Sequence, residues 1–418
     1  MRNPQIIFGI FLLSLTIESY SQISGCTDPN ANNYNPAANI NDGSCIYNLT
    51  IYNPPLRFLL PPEIQESSGL AYFNEKLWTI NDSGGLPVIY AFDTIVGQIV
   101  QRIIVDNAIN IDWESLATDD DYIYIGDFGN NLGNRDDLAI YIVSKSDIPL
   151  EGDGTAGSTK ITFIYSDYKG NTEKKKEHNF DCEAFIATND SLYLFSKNRG
   201  DQKTKLYRLP KMPGDYIAEL ISTFNVAGLI TGADINISSD EITLIGYVDQ
   251  SWIPFTWLLF DYEGTNFFGG NKRRIDLLNI AATQTEAISY TISKHEVITS
   301  EGNFLFSQTA YNFNSALWTD SSPSMILDVA SNKFDFSLSP NPVSKSKLTI
   351  HINKLPKGEY QIEIFDTFGR LIRIKKYNVS NMDGANKIKI KVGDYTQGTY
   401  FVRMRSGNQV VEKKFIKK

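Results

Sequence analysis

The chain has 418 residues, a formal charge of −9 and 42% hydrophobic residues. That length holds two or three domains and ample core. The acidic balance, with a pI near 5.1, excludes the basic footprint that a nucleic-acid partner requires.

Arg2, an apolar run from Ile6 to Ile17 and the small-residue end Ser19-Tyr20-Ser21 before Gln22 read as a cleavable secretory signal over residues 1–21. That run is too short for a membrane span of about 20 residues, and no later stretch is long enough, so no transmembrane segment is expected in the mature chain. In an oxidising compartment Cys26 and Cys45 are expected to pair. Closing that loop contributes about 3 kcal/mol on the chain-entropy model. Cys182 is then left single.

Residues 24–47 form a module with almost no aliphatic side chains, running from Gly25-Cys26-Thr27-Asp28-Pro29 to Asn41-Asp42-Gly43-Ser44-Cys45. A disulfide and ligation of a hard cation by side-chain oxygens are the available means of ordering it. The alternative is an ion-free, disulfide-stapled linker rich in Asx turns. The segment resembles the Cys-bracketed modules related to thrombospondin type 3 repeats on secreted bacterial proteins. The resemblance implies calcium, with Asp28, Asn41 and Asp42 as its ligands.

Across residues 48–330 one short pattern recurs five times: Glu66-Ser67-Ser68-Gly69-Leu70, Asp112-Trp113-Glu114-Ser115-Leu116, Asp181-Cys182-Glu183-Ala184-Phe185, Thr231-Gly232-Ala233-Asp234-Ile235 and Thr285-Glu286-Ala287-Ile288-Ser289. The aligned carboxylates are Glu66, Glu114, Glu183, Asp234 and Glu286, spaced at about fifty residues, the period of propeller blades. Short strands rich in Tyr, Ile, Phe and Val, with hairpin turns and no amphipathic helix, predict an all-β fold. In the fifth unit the third and fourth strands are expected at Ala316–Asp320 and Met325–Val329. Five four-stranded repeats predict a β-propeller, which closes radially. Five blades is the direct count. Six result if Leu49–Leu60 joins the long interval between Glu114 and Glu183 as an extra blade. The same N-terminal strand otherwise closes the ring against the last blade.

Inner strands of a propeller start at one rim of the channel, so the five carboxylates are expected to converge there and recruit a cation or raise one another's pKa. Second strands deliver Asn81, Asp82, Asp127, Asn130, Lys197, Tyr247 and Glu301 nearby, and Arg135 follows in a glycine-rich loop of the kind that lines a binding mouth. The candidate ligand or metal residues are Glu66, Asp82, Glu114, Asp127, Asn130, Arg135, Glu183, Asp234, Glu286 and Glu301. The structural alternative has each inner-strand acid hydrogen-bonding main-chain amides of the next blade. The segments Glu66-Ser67-Ser68-Gly69-Leu70, Trp78 through Asn81-Asp82-Ser83-Gly84, Asp112-Trp113-Glu114, Gly126-Asp127-Phe128-Gly129-Asn130-Asn131 with Arg135, and Thr285-Glu286-Ala287 resemble those of secreted phytase-esterase and lactonase-like propellers. That resemblance implies a channel-mouth calcium held by carboxylates and amides. No complete catalytic set of that family can be laid on this chain.

Asn81-Asp82-Ser83-Gly84-Gly85 has the look of a serine-protease nucleophile segment, but no histidine base accompanies it. Cys182 with His178 offers two ligands, too few for zinc, and Cys182 reads as a packing residue. Lys174-Lys175-Lys176 reads as a solvated loop.

After Asn332 the composition turns basic, and alternating runs from Leu348 to Ile416 predict a small immunoglobulin-like sandwich over residues 334–418. Ser339-Pro340-Asn341-Pro342, Ile364-Phe365-Asp366 before Gly369-Arg370, Gly398-Thr399-Tyr400-Phe401-Val402 and Lys413-Lys414-Phe415-Ile416 resemble the type A C-terminal sorting domain of type IX secretion. This implies handling by that machinery through the periplasm, removal of the domain, and attachment of the remainder to surface lipopolysaccharide. Two functions are expected of the propeller. It either binds a ligand or surface partner at its channel mouth, or it is a calcium-dependent hydrolase of phosphoesters, esters or lactones.

Overall fold

The computed structural model describes residues 21–64, 66–170, 177–277, 280, 284–302, 306–320, 335–344, 346–353, 358–366, 371–379, 387–406 and 409–418. The expected secretory signal, apart from Ser21, and the lysine run at 174–176 lie outside them.

Ser24–Gly25 (β1) and Ile40–Asn41 (β2) pair in parallel, and a Cys26–Cys45 disulfide closes the segment. With so little apolar surface, its order comes from Asx turns. Asp28 Oδ1 accepts from Asn30 N–H, Asn35 Oδ1 from Ala37 N–H, Asn41 Oδ1 from Gly43 N–H and Asp42 Oδ1 from Ser44 N–H.

After Thr50–Tyr52 (β3) and Leu56–Leu59 (β4), the chain runs through antiparallel meanders. The first unit is Ser67–Phe73 (β5), Lys76–Asn81 (β6), Val88–Asp93 (β7) and Ile99–Asp106 (β8). The second is Trp113–Thr118 (β9), Tyr122–Asp127 (β10), Ala139–Ser144 (β11) and Gly154–Tyr165 (β12). The third is Cys182–Ala187 (β13), Ser191–Ser196 (β14), Thr204–Pro210 (β15) and Gly214–Phe224 (β16). The fourth is Leu229–Asn236 (β17), Glu241–Tyr247 (β18), Pro254–Phe260 (β19) and Asn271–Leu277 (β20). The fifth is Thr285–Ile292 (β21), His295–Ser300 (β22) and Thr309–Asn314 (β23). Local chemistry agrees with this: Asn74 and Glu75, at the β5–β6 turn, both take positive φ, the conformation a tight two-residue hairpin demands.

Each first strand packs against the first strand of the next unit, and β21 packs against β5. Five apolar cores lie between successive units; the last joins Ala287, Val297 and Ala310 of the fifth to Leu70, Leu77 and Phe92 of the first. The long β12 pairs in parallel with β8 along its first half and with β16 along its second, merging three units into a twelve-stranded sheet. The result is an all-β, nearly closed, barrel-like array with few exposed edges.

The fifth unit departs from the expected strands. Ala316–Thr319 forms a helical turn (α1), not a third strand, because Asn314 Oδ1 accepts from Ala316 N–H and turns the chain. Trp318 then packs against Tyr52 and Phe313. The expected fourth strand at Met325–Val329 lies outside the described residues. Its place is taken by β4, which pairs antiparallel with β23 through Leu59–Thr309, Phe58–Ala310 and Leu56–Tyr311. β3 adds in parallel to the edge of β20.

At the C-terminal end, Asp335–Ser339 (β24), Lys347–Asn353 (β25) and a later strand, Lys387–Lys391 (β28), form one sheet. Gly358–Asp366 (β26), Leu371–Val379 (β27), Gly398–Ser406 (β29) and Gln409–Lys417 (β30) form another. Phe336, Leu348, Ile350, Ile362, Ile364, Val402, Met404 and Phe415 share one core. No helix among the described residues is long and apolar enough to cross a membrane.

Candidate functional site

In every unit the first strand bulges at one equivalent position. Pairing with the second strand skips Ser68, Glu114, Glu183, Thr231 and Glu286 in turn. A bulge re-aims the extra side chain, and the five first strands that carry these bulges pack side by side around the array. The register places Asp82, Lys197, Tyr247 and Glu301 at the matching positions where second strands end. Equivalent main-chain bonds seat three of them: Asp82 N–H to Glu66 O, Lys197 N–H to Asp181 O and Glu301 N–H to Gln284 O. Phe128 takes that position in the second unit and turns into the core instead.

Two of the aligned carboxylates therefore change place. Glu66 is exposed and lies two residues before the bulge, level with Asp112 and Asp181. Asp234 lies three residues beyond its unit's bulge and accepts from Tyr290 N–H (2.8 Å), Ser289 Oγ (3.0 Å) and Ile235 N–H (2.8 Å), tying the fourth unit to the fifth. It plays the structural part, with its pKa pushed up to about 6 by burial against those hydrogen bonds.

Asp127, Asn130 and Arg135 build the wall behind the mouth. Asp127 Oδ1 accepts from Asp112 N–H (3.0 Å) and pairs with Arg135 (3.1 Å). Arg135 also donates to Gly129 O, while Asn130 donates its N–H to Asp181 Oδ1 and its side-chain amide to Phe180 O.

The mouth itself splits into two sides. On one, Asp82, Asp112 and Glu114 bring a carboxylate oxygen each to within 4.8 Å of the others. Glu114 is 4% exposed and takes no hydrogen bond or ion pair among the described residues. Burial pushes Asp112 up to about 7, with Asp82 adding to the effect. Burial also lifts Glu114 well above the carboxylate range, with Glu183 and Asp82 as further causes. A Cβ on Gly129 would run into the Asp112 and Glu114 carboxylates and displace them.

On the other side Lys197, 2% exposed, ion-pairs with Glu183 and lies over the Tyr247 ring at 5.3 Å. Burial disfavours its ammonium, but Glu183, Tyr247 and Glu286 outweigh that and hold it charged. Arg199 donates to Asp181 at 3.0 Å. Glu286 is 4% exposed and has no hydrogen bond among the described residues. Burial raises it and Glu301, whose carboxylate accepts from Gln284 at 2.8 Å.

Asp112, Asp181 and Arg199 join the mouth without having been expected there, whereas Lys197 and Tyr247 lie at the second-strand ends that were expected to deliver them. The sequence signal was the acid-x-Glu spacing in Asp112-Trp113-Glu114 and Asp181-Cys182-Glu183. Cys182 is buried, its thiol pushed up to about 12 by burial, and it faces the Ala184 and Phe195 carbonyls. His178 accepts from Phe180 N–H through Nδ1 and meets Asn131 O through Nε2, so both ring nitrogens are engaged by main chain. Of the N-terminal set, Asp28 also accepts from Tyr47 OH at 2.7 Å, and Asn41 donates to Asp261 O and Asn271 Oδ1.

Residues 337–418 match the secretion system C-terminal sorting domain family. The chain thus carries the signal for export by type IX secretion to the cell surface or outside, and that machinery handles it. No curated protein matches the sequence. Among solved structures, sucrose-6-phosphate hydrolase from Lactobacillus gasseri aligns at 9% identity and TM-score 0.39, covering 89% of this chain and 87% of that one. Hydrazine synthase from Kuenenia stuttgartiensis aligns at 10% identity and TM-score 0.31, covering 82% and 78%. The computationally designed Ika8 protein aligns at 10% and 0.28, covering 87% and 99%. At these scores the likenesses carry no activity over to this chain.

Proposed function

We propose that residues 48–330 are a five-bladed β-propeller, displayed outside the cell, that binds a divalent cation at its acidic channel mouth and presents it to a ligand or surface partner. One observation carries this reading. Glu114 is buried without a hydrogen bond or ion pair among the described residues, while the Asp82 and Asp112 carboxylates crowd the same spot. Three acids so placed repel one another and lose solvation, and a cation removes both penalties. An all-oxygen donor set of hard carboxylates suits calcium. Asp82, Asp112 and Glu114 would hold the ion, which would supply a fixed positive charge at the mouth.

The N-terminal module is read as a turn-built spacer of the thrombospondin type 3 kind. Asp28, Asn41 and Asp42 each commit an oxygen to a turn, so calcium is assigned to the mouth first. The C-terminal domain is read as an immunoglobulin-like sandwich that is removed on export, leaving the remainder attached to surface lipopolysaccharide.

A hydrolytic reading would have the ion held by these acids supply the charge that activates a water at the mouth. Calcium titration by calorimetry tests the main reading. Binding in wild type that disappears in Glu114→Gln supports it; no binding at millimolar calcium sinks it. Turnover of generic esters or phosphoesters that a chelator abolishes would establish the hydrolase.

A further inference from the structure

The two sides of the mouth are built on the same plan. Glu114, Glu183 and Glu286 occupy equivalent bulges, and Asp82, Lys197 and Glu301 occupy equivalent second-strand ends. Where one side gathers three acids with no ion-pair partner among the described residues, the other has an ammonium in direct contact with a carboxylate. Lys197 pairs with Glu183, lies over Tyr247, and attracts Asp82, Glu114, Glu286 and Glu301 as well. Burial of a lysine to 2% exposure is unfavourable unless the charges around it require it. Glu286, buried and without a hydrogen bond among the described residues, marks the acid that needs this counter-charge.

Resting on the reading above, we propose that Lys197 is the protein's own occupant of a second cation place, at Glu183 on the side of the mouth that also carries Glu286. The mouth therefore takes up a single divalent ion, on the Asp82–Asp112–Glu114 side, and Lys197 sets that stoichiometry. A tethered ammonium neutralises this side at every calcium concentration, whereas the other side responds to the ion in the medium. The mouth holds a permanent charge beside an exchangeable one.

The test is calorimetric titration of calcium into the full mature chain, into Lys197→Met, which keeps an unbranched side chain one atom shorter and without the charge, and into Lys197→Arg. Wild type and Lys197→Arg are expected to take up one ion, and Lys197→Met to gain a second or to bind at least about tenfold more tightly. Folded Lys197→Met with unchanged stoichiometry and affinity overturns the inference and leaves the calcium reading standing. So does a second ion in Lys197→Arg. Binding by Lys197→Met alone, with none in wild type, supports the role of Lys197 and overturns the resident ion. If Lys197→Met is unfolded in chelator, recovery of its far-UV circular dichroism on adding calcium supports the inference, and failure to recover at millimolar calcium overturns it.

Discussion

At Gly129 the missing side chain is what admits the Asp112 and Glu114 carboxylates. Gly129→Ala is expected to weaken calcium binding by at least about tenfold while far-UV circular dichroism stays unchanged. Glu114→Gln should behave differently from an ordinary loss of charge. Its acid is already disfavoured as an anion by burial, so the ion-free variant should melt at or above the wild-type temperature. It should also lose the rise in melting temperature that calcium gives, worth about 2.7 kcal/mol at a hundredfold excess over Kd. The pH dependence follows in sign. Asp112 titrates near 7 when folded against an ordinary 3.8, so the folded state binds more protons between those values. Stability in chelator is then full below about pH 4 and falls as pH rises to about 7, on the order of 1–2 kcal/mol for this partly buried group. Urea titrations in chelator at pH 5, 6, 7 and 8 check this, and calcium should flatten the trend. Much of this site was legible, because Glu114, Glu183 and Glu286 are aligned by sequence alone. Ser68 and Thr231 were not, since a hydroxyl can fill a bulge where a carboxylate is expected. Matching acid to acid then shifted the first unit by two residues and the fourth by three.

Among the elements, the meanders could be read from hairpin turns and alternating apolar residues, down to the Asn74-Glu75 turn. In the fifth unit the closing strand was legible only as one of two alternatives for Leu49–Leu60, because it comes from more than two hundred residues earlier in the chain. Local patterns carry no record of a non-local pairing, and Leu56–Leu59 is short and half-exposed. The apolar run at Ala316 was consistent with a strand until Asn314 is seen capping a turn. Phe58 is the apolar anchor of the closing strand, packed edge-on against Phe92 at 5.8 Å. Phe58→Ala should cost about 3–5 kcal/mol, measured by urea unfolding, with the fifth unit's amides losing hydrogen-exchange protection first.

For the molecule as a whole, the sorting domain was the most readable part, since its motifs lie in order along one contiguous stretch of the chain, residues 337–418. A chain lacking residues 337–418 should accumulate in the periplasm, as cell fractionation would show, whereas one lacking residues 24–47 should still reach the outside. The pairing of β4 with β23 also has a mechanical consequence. Leu56 lies opposite Tyr311 and Leu59 opposite Thr309, so the leading and trailing ends of the array emerge at the same end of the clasp. Tension between those ends loads the hydrogen bonds one after another, as in peeling tape, rather than all at once. A protein tugged by its C-terminal end would therefore open at this seam under modest force, and a crosslink across Phe58 and Ala310 should raise that force in a single-molecule pulling experiment.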